Sequence, residues 1–194
     1  MDVAIAVDNS DAVTSDEFSD VKRFVKKLIR RISSSENNIH FSLLEYGDNA
    51  TVLTDFRKYR DQLFLENLLD NMVKRDDSQR RVDVALELTK GKIFSLKGGM
   101  RQGYPRFLIF VTSGDSTKDF NALDGAWKER RNLGVTVVAI GTKRNVPEAF
   151  LQKLAGDSRF IYKADVANEL SGLVLGDLTS KMCAGRWLIS FLKP

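Results

Sequence analysis

The chain has 194 residues, 43% of them hydrophobic and 29% charged, which is the size and make-up of one domain with a substantial core. Thirty basic residues against 26 acidic ones leave a net charge of +4, which by itself points neither to a nucleic acid nor to a membrane surface as partner. Three prolines and dispersed apolar runs exclude long disordered or low-complexity segments, and no apolar stretch approaches the roughly 20 residues that a membrane-spanning helix needs.

From the N-terminus, Asp2 to Asp8 reads as a short, mostly apolar strand. Met1 is followed at once by this strand and not by the charged and then apolar regions of a signal peptide, so a secreted location would make the sequence part of a longer chain or an isoform. From Ser15 to Ile32 the periodicity is helical, with Val21, Phe24, Val25, Leu28, Ile29 and Ile32 on one face and Thr14 to Glu17 as cap and acidic first turn. Ile39 to Tyr46 alternates as a strand, and Gly47 to Ala50 makes a turn. Thr51 to Thr54 returns beside it as a hairpin, the antiparallel edge of the sheet.

Leu63 to Met72 and Val82 to Phe94 read as helices, and Arg106 to Val111 as a fully buried strand ending at Thr112, Ser113 and Gly114. A helix from Phe120 to Leu133, a strand from Gly134 to Gly141, a helix from Pro147 to Leu154, a strand from Arg159 to Tyr162 and a helix from Ala167 to Thr179 follow. Repeated βα units predict a doubly wound α/β fold, a mostly parallel sheet with one antiparallel edge strand and helices on both faces. Residues 1–180 form the domain, and residues 181–194, with a small apolar cluster, are a tail or the start of a following segment. Cys183, the single cysteine, excludes an internal disulfide; it is either a partly buried free thiol or the site of a bridge to another chain.

Sheets of this kind bind ligands outside the carboxyl ends of their strands. The loops to inspect therefore follow Asp8, surround Arg80 to Asp83 and follow Val111. The first loop lacks Gly-x-Gly-x-x-Gly, and no Gly-x-x-x-x-Gly-Lys-Ser/Thr occurs anywhere, so neither a dinucleotide site nor a P-loop is expected. Asp8 and Ser10 do place a carboxylate and a hydroxyl at the end of the first strand, hard oxygens of the type that suit Mg²⁺ or Ca²⁺.

The strand Val3 to Asp8 leading into Asp-Asn-Ser-Asp-Ala, the segment Ile39 to Gly47, the strand Phe107 to Gly114 and the strand Gly134 to Gly141 together resemble a von Willebrand factor A domain, particularly those of collagens and matrix proteins. The resemblance spans about residues 1 to 180. It implies a Rossmann-like fold, an extracellular adhesion role in the matrix and no enzymatic activity. It also implies a metal-ion-dependent adhesion site built from Asp-x-Ser-x-Ser, a loop Thr and the Asp of a Thr-Asp-Gly turn. Asp8 and Ser10 match the first two positions, whereas Ala12, Val82 and Ser113 stand where the remaining ligands are expected. The expectation is a degenerate site that binds an extracellular matrix protein, with collagen as the leading candidate, through the loops carrying these five residues and without a cofactor. Asp11, Asp83 and Asp115 lie beside the lost positions and offer a different oxygen cluster as the alternative.

Opposite the apolar stripe of the first helix stand Lys22, Arg23, Lys26, Lys27, Arg30 and Arg31, six bases with no acid among them. Like charges at this spacing repel on an ordinary solvated helix, so the face is a candidate for a polyanion such as a glycosaminoglycan. Without stacking aromatics or a groove-reading motif, nucleic acid is not expected. Asn49-Ala50-Thr51 is a glycosylation sequon on the hairpin turn. His40, the only histidine, leaves no catalytic triad except one passing through it, and its position beside a buried strand favours a structural role. A metal-dependent adhesion domain, a metal-assisted hydrolase or an intracellular assembly factor of the same fold is the reading from a different class.

Overall fold

The structure is a computed structural model and describes residues 1–35, 38–58, 61–114, 132–163 and 174–190, with only the backbone path described for 184–190. Its strands are β1 (Asp2–Asp8), β2 (His40–Tyr46), β3 (Ala50–Thr54), β4 (Arg106–Thr112), β5 (Val135–Gly141) and β6 (Ile161–Lys163). Its α-helices are α1 (Ser15–Ser35), α2 (Gln62–Asn71), α3 (Val82–Leu88), α4 (Glu148–Ala155) and α5 (Leu175–Ser190). The strands form one six-stranded sheet in the order β3-β2-β1-β4-β5-β6, parallel except for the β2–β3 hairpin.

The period of two along each central strand divides the core. Val3, Ile5 and Val7 of β1 with Phe107, Ile109 and Val111 of β4 pack beneath α1, α2 and the start of α5. Ala4, Ala6, Leu108 and Phe110 face the other way, beneath α3 and α4. All seven residues of β1 are buried, as a strand covered on both faces requires. The chain winds outward from β1 through β2 to β3, crosses back to β4 and continues to β6, so the β1–β4 boundary is the switch point where connections diverge.

Thr14 and Glu17 start α1 as a reciprocal capping box: the Glu17 carboxylate accepts from the Thr14 N–H at 2.8 Å and the Thr14 hydroxyl accepts from the Glu17 N–H at 3.2 Å. Where a single helix is expected over Val82 to Phe94, the structure has α3 followed by a π-turn over Thr89–Ile93. The wider turn, closed by the Phe94 N–H on the Thr89 carbonyl at 2.8 Å, brings both Ile93 and Phe94 into the second core. The helix expected over Phe120 to Leu133 lies almost wholly outside the described residues, as does Ala167 to Leu173. The last helix does not stop at Thr179 but runs to Ser190, through the segment read as a tail; Leu175, Leu178 and Met182 in its first half are buried.

Candidate functional site

β1 and β4 run side by side with Val7 opposite Val111, so the loop after Asp8 and the loop after Thr112 meet at the switch point. Asp8 is 1% exposed, and its carboxylate accepts four hydrogen bonds. Ser10 donates its N–H at 3.0 Å and its hydroxyl at 2.7 Å to Oδ1. Ser113 donates its N–H at 2.9 Å and its hydroxyl at 2.5 Å to Oδ2. Each carboxylate oxygen therefore has both lone-pair positions filled by the protein itself. Behind Ser113, the Thr112 hydroxyl donates to the Gly114 carbonyl at 2.7 Å and accepts from its N–H at 3.1 Å. Gly114, at φ +136°, supplies the backbone conformation that this turn needs.

The five residues of the adhesion-site pattern thus divide. Asp8, Ser10 and Ser113 form one buried hydrogen-bonded cluster, Ala12 contributes only its backbone, and Val82 is fully buried in the second core. Two ammonium groups press against the same loop: Lys74 Nζ donates to the Ser10 carbonyl at 2.8 Å and Lys143 Nζ to the Ala12 carbonyl at 2.9 Å. A divalent cation needs several free oxygen ligands to replace its water. Among the described residues the donor set does not fit one, because its one carboxylate is saturated, two family ligand positions lack side-chain oxygen, and two ammonium groups already occupy the loop carbonyls. Of the alternative cluster, Asp83 pairs with Arg81 at 2.7 Å and Asp11 is exposed, while Asp115 lies outside the described residues.

Sequence reasoning missed a second buried network on the same end of the sheet. Asn9 donates from Nδ2 to Glu45 and to the Val73 carbonyl, both at 2.9 Å, and accepts from the Arg75 N–H at 3.0 Å. Arg75 in turn pairs with Glu45. The network clamps the segment from Val73 to Arg81 over the carboxyl ends of β1 and β2, with Asp11 N–H on the Asp77 carbonyl at 2.8 Å and Arg81 N–H on the Gly47 carbonyl at 3.0 Å. Glu45 in a strand with Phe41, Leu43 and Leu44 was the available signal, since a buried acid needs a partner. Beside Ser113 opens a pocket of about 480 Å³ walled by Arg80, Asn145, Phe150 and Lys153.

The structure splits the basic face of α1 into two ridges. Lys22, Lys26 and Arg30 turn towards α2, where they meet the Met72 carbonyl, Asp70 and Glu66. Arg23, Lys27 and Arg31 are exposed on the outer ridge, with Arg23 bound to Asp20 at 2.5 Å. Acids missing from α1 are thus largely supplied by the neighbouring helix. Arg30 grips Glu66 with two nitrogens, at 2.8 and 2.5 Å, and this hydrogen-bonded guanidinium is the main cause holding the Glu66 carboxyl down at about 2, from its usual 4.5. A folded-state pKa below the unfolded one means that this contribution to stability is present above about pH 4.5 and is lost as pH falls towards 2. Acid unfolding of Glu66→Gln should accordingly show a shallower stability loss over that window than the parent chain.

Asn49 is exposed at the hairpin turn, His40 begins β2 far from Asp8, and Cys183 is half-buried, with burial pushing its thiol pKa up. Among the described residues no group of three or more His, Cys, Asp or Glu side chains is placed to hold a metal, and no helix is long and apolar enough to cross a membrane.

The description of the von Willebrand factor type A domain family matches residues 2–175. The chain belongs to that family. This VWA domain is 26% identical over 184 residues to the human collagen alpha-6(VI) chain, covering 94% of this chain and 8% of that one. It is 26% identical to mouse von Willebrand factor A domain-containing protein 1 over 180 residues, covering 89% of this chain and 42% of the relative. The chain therefore spans well under two thirds of the length of these relatives. Proximal thread matrix protein 1 from the mussel byssus superimposes with a TM-score of 0.79 at 19% identity, over 94% of this chain and 47% of that one, which establishes the shared fold. The mussel protein has also been solved with a zinc-occupied MIDAS motif; in the present VWA domain the corresponding end of the sheet carries Asp8 bound by Ser10 and Ser113.

Proposed function

We propose that this VWA domain is an extracellular matrix interaction module that binds a matrix protein, with collagen the leading candidate, through the loops at the carboxyl ends of its strands. It does so without a divalent cation and catalyses nothing. The observation that carries the reading is the Asp8 carboxylate, whose four acceptor positions are filled by Ser10 and Ser113. Likeness to a collagen chain and to a thread matrix protein supports the matrix setting. The 480 Å³ pocket next to Ser113 supplies a contact surface, with Phe150 as apolar wall and Arg80 and Lys153 to meet acidic groups of the partner. A glycan on exposed Asn49 would agree with a secreted location.

The test is binding of the purified domain to immobilised collagen in Mg²⁺ and then in chelator. The expected result is an affinity unchanged within about twofold and weakened roughly tenfold by Lys153→Glu at the pocket rim. Loss of binding in chelator would overturn metal independence, and absence of binding in both buffers would remove collagen as the partner.

A further inference from the structure

We propose that the outer ridge of α1 and the start of α5 form a second binding site, for a sulfated polysaccharide, at the opposite end of the domain from Asp8. Between α1, α2 and α5 lies an open groove of about 710 Å³ lined by Lys27, Arg30, Arg31, Ser34, Gln62 and Leu175. Three of these are cations and none is an acid. Glu66, which neutralises Arg30 from behind, sits outside the lining, whereas Lys27 and Arg31 are exposed and have no carboxylate partner among the described residues. Four residues of helix advance about 6 Å, so Lys27 and Arg31 stand about 6 Å apart along the axis in the groove lining, in line with Arg23, which pairs with Asp20.

The chemistry of the lining selects among polyanions, since the groove itself is open. Its lining has no aromatic ring on which a base could stack, which disfavours single-stranded nucleic acid. Ser34 and Gln62 supply polar atoms for sugar hydroxyls alongside the cations that would meet sulfate groups. The helix places the site away from the switch point: α1 starts beside the Asp8 loop, and Lys27 lies twelve residues further on, about 18 Å along the axis. Polysaccharide binding and matrix-protein binding are therefore separable on one domain.

The experiment is calorimetric titration of the whole chain with a heparin octasaccharide at about physiological ionic strength, 0.15 M, using Lys27→Ala/Arg31→Ala. A second double variant, Lys92→Ala/Lys97→Ala, removes the same charge from two exposed lysines flanking Ile93 and Phe94, on the other face of the sheet. The groove variant should lose at least about tenfold in affinity and the control should stay within about twofold, since only groove cations make charge-assisted bonds to the ligand. Equal losses in both variants would reduce the effect to net charge and overturn the site. Failure of the parent chain to bind the octasaccharide would overturn it too, as would binding to phosphatidylserine vesicles, and not the octasaccharide, through the same residues. Both substitutions lie on exposed side chains, and an unchanged melting temperature confirms that each variant is folded.

Discussion

Asp8→Ala should cost the domain about 2–4 kcal/mol of unfolding free energy, measured by denaturant titration, with no metal-binding signal lost. The side chain sits 1% exposed and satisfies two N–H groups and two hydroxyls. Truncation leaves the backbone donors of Ser10 and Ser113 buried with no acceptor, and it unties the β1 loop from the β4 loop. A hydrogen bond to a charged acceptor contributes about 1.5–3 kcal/mol, but the two hydroxyls can rotate to new partners, so the sum is far below four such bonds. Calorimetric titration of the chelator-treated parent with Mg²⁺, Ca²⁺ and Mn²⁺ supplies the second half of the test. Heat and a raised melting temperature in the parent that vanish in Asp8→Ala would show Asp8 acting as a cation ligand; a destabilised variant of a cation-insensitive parent is the expected outcome.

Asp2→Ala should destabilise by about 3–5 kcal/mol, the range for breaking a buried ion pair from one side. Asp2 is fully buried at the start of the central strand, and Arg101 binds it with Nε at 2.7 Å and its own N–H at 2.8 Å. The same guanidinium donates to the carbonyls of Met1 and Asn38, so it cannot swing into water without releasing both. Removing the carboxylate strands a largely buried cation in that position, 17% exposed. The double variant Asp2→Ala/Arg101→Met should recover part of the loss, because the uncompensated charge goes with its partner. A single-variant loss below about 1 kcal/mol would mean that water reaches Arg101 and that the pair contributes little.

The element order was legible because the patterns behind it are local. An apolar run bounded by turn residues, as at Arg106 to Thr112, reads as a buried strand without knowledge of its neighbours, and a 3.6-residue stripe, as at Val21 to Ile32, reads as a helix. The π-turn at Thr89 was not legible, since nothing local distinguishes it from a continued helix; the demand that Ile93 and Phe94 both reach the second core decides it. The capping box at Thr14 and Glu17 was present in the sequence at the required spacing, and the structure shows both of its hydrogen bonds.

For the site, the sequence by itself determined which oxygens are missing: an alanine at position 12 and a valine at position 82 have none to offer whatever the fold. It also determined the fold class and the presence of six bases on α1. Only the tertiary structure decided what the remaining groups do. The hydroxyl of Ser113 satisfies Asp8 because β1 and β4 are adjacent although more than a hundred residues separate the two loops. Asp70 and Glu66 neutralise two of the three bases on the inner ridge because α2 packs beside α1, and Lys74 and Lys143 reach the loop carbonyls from two unrelated segments. Side-chain composition is a property of the chain, whereas hydrogen-bond saturation and charge pairing are properties of distance, and distances between remote residues exist only after folding.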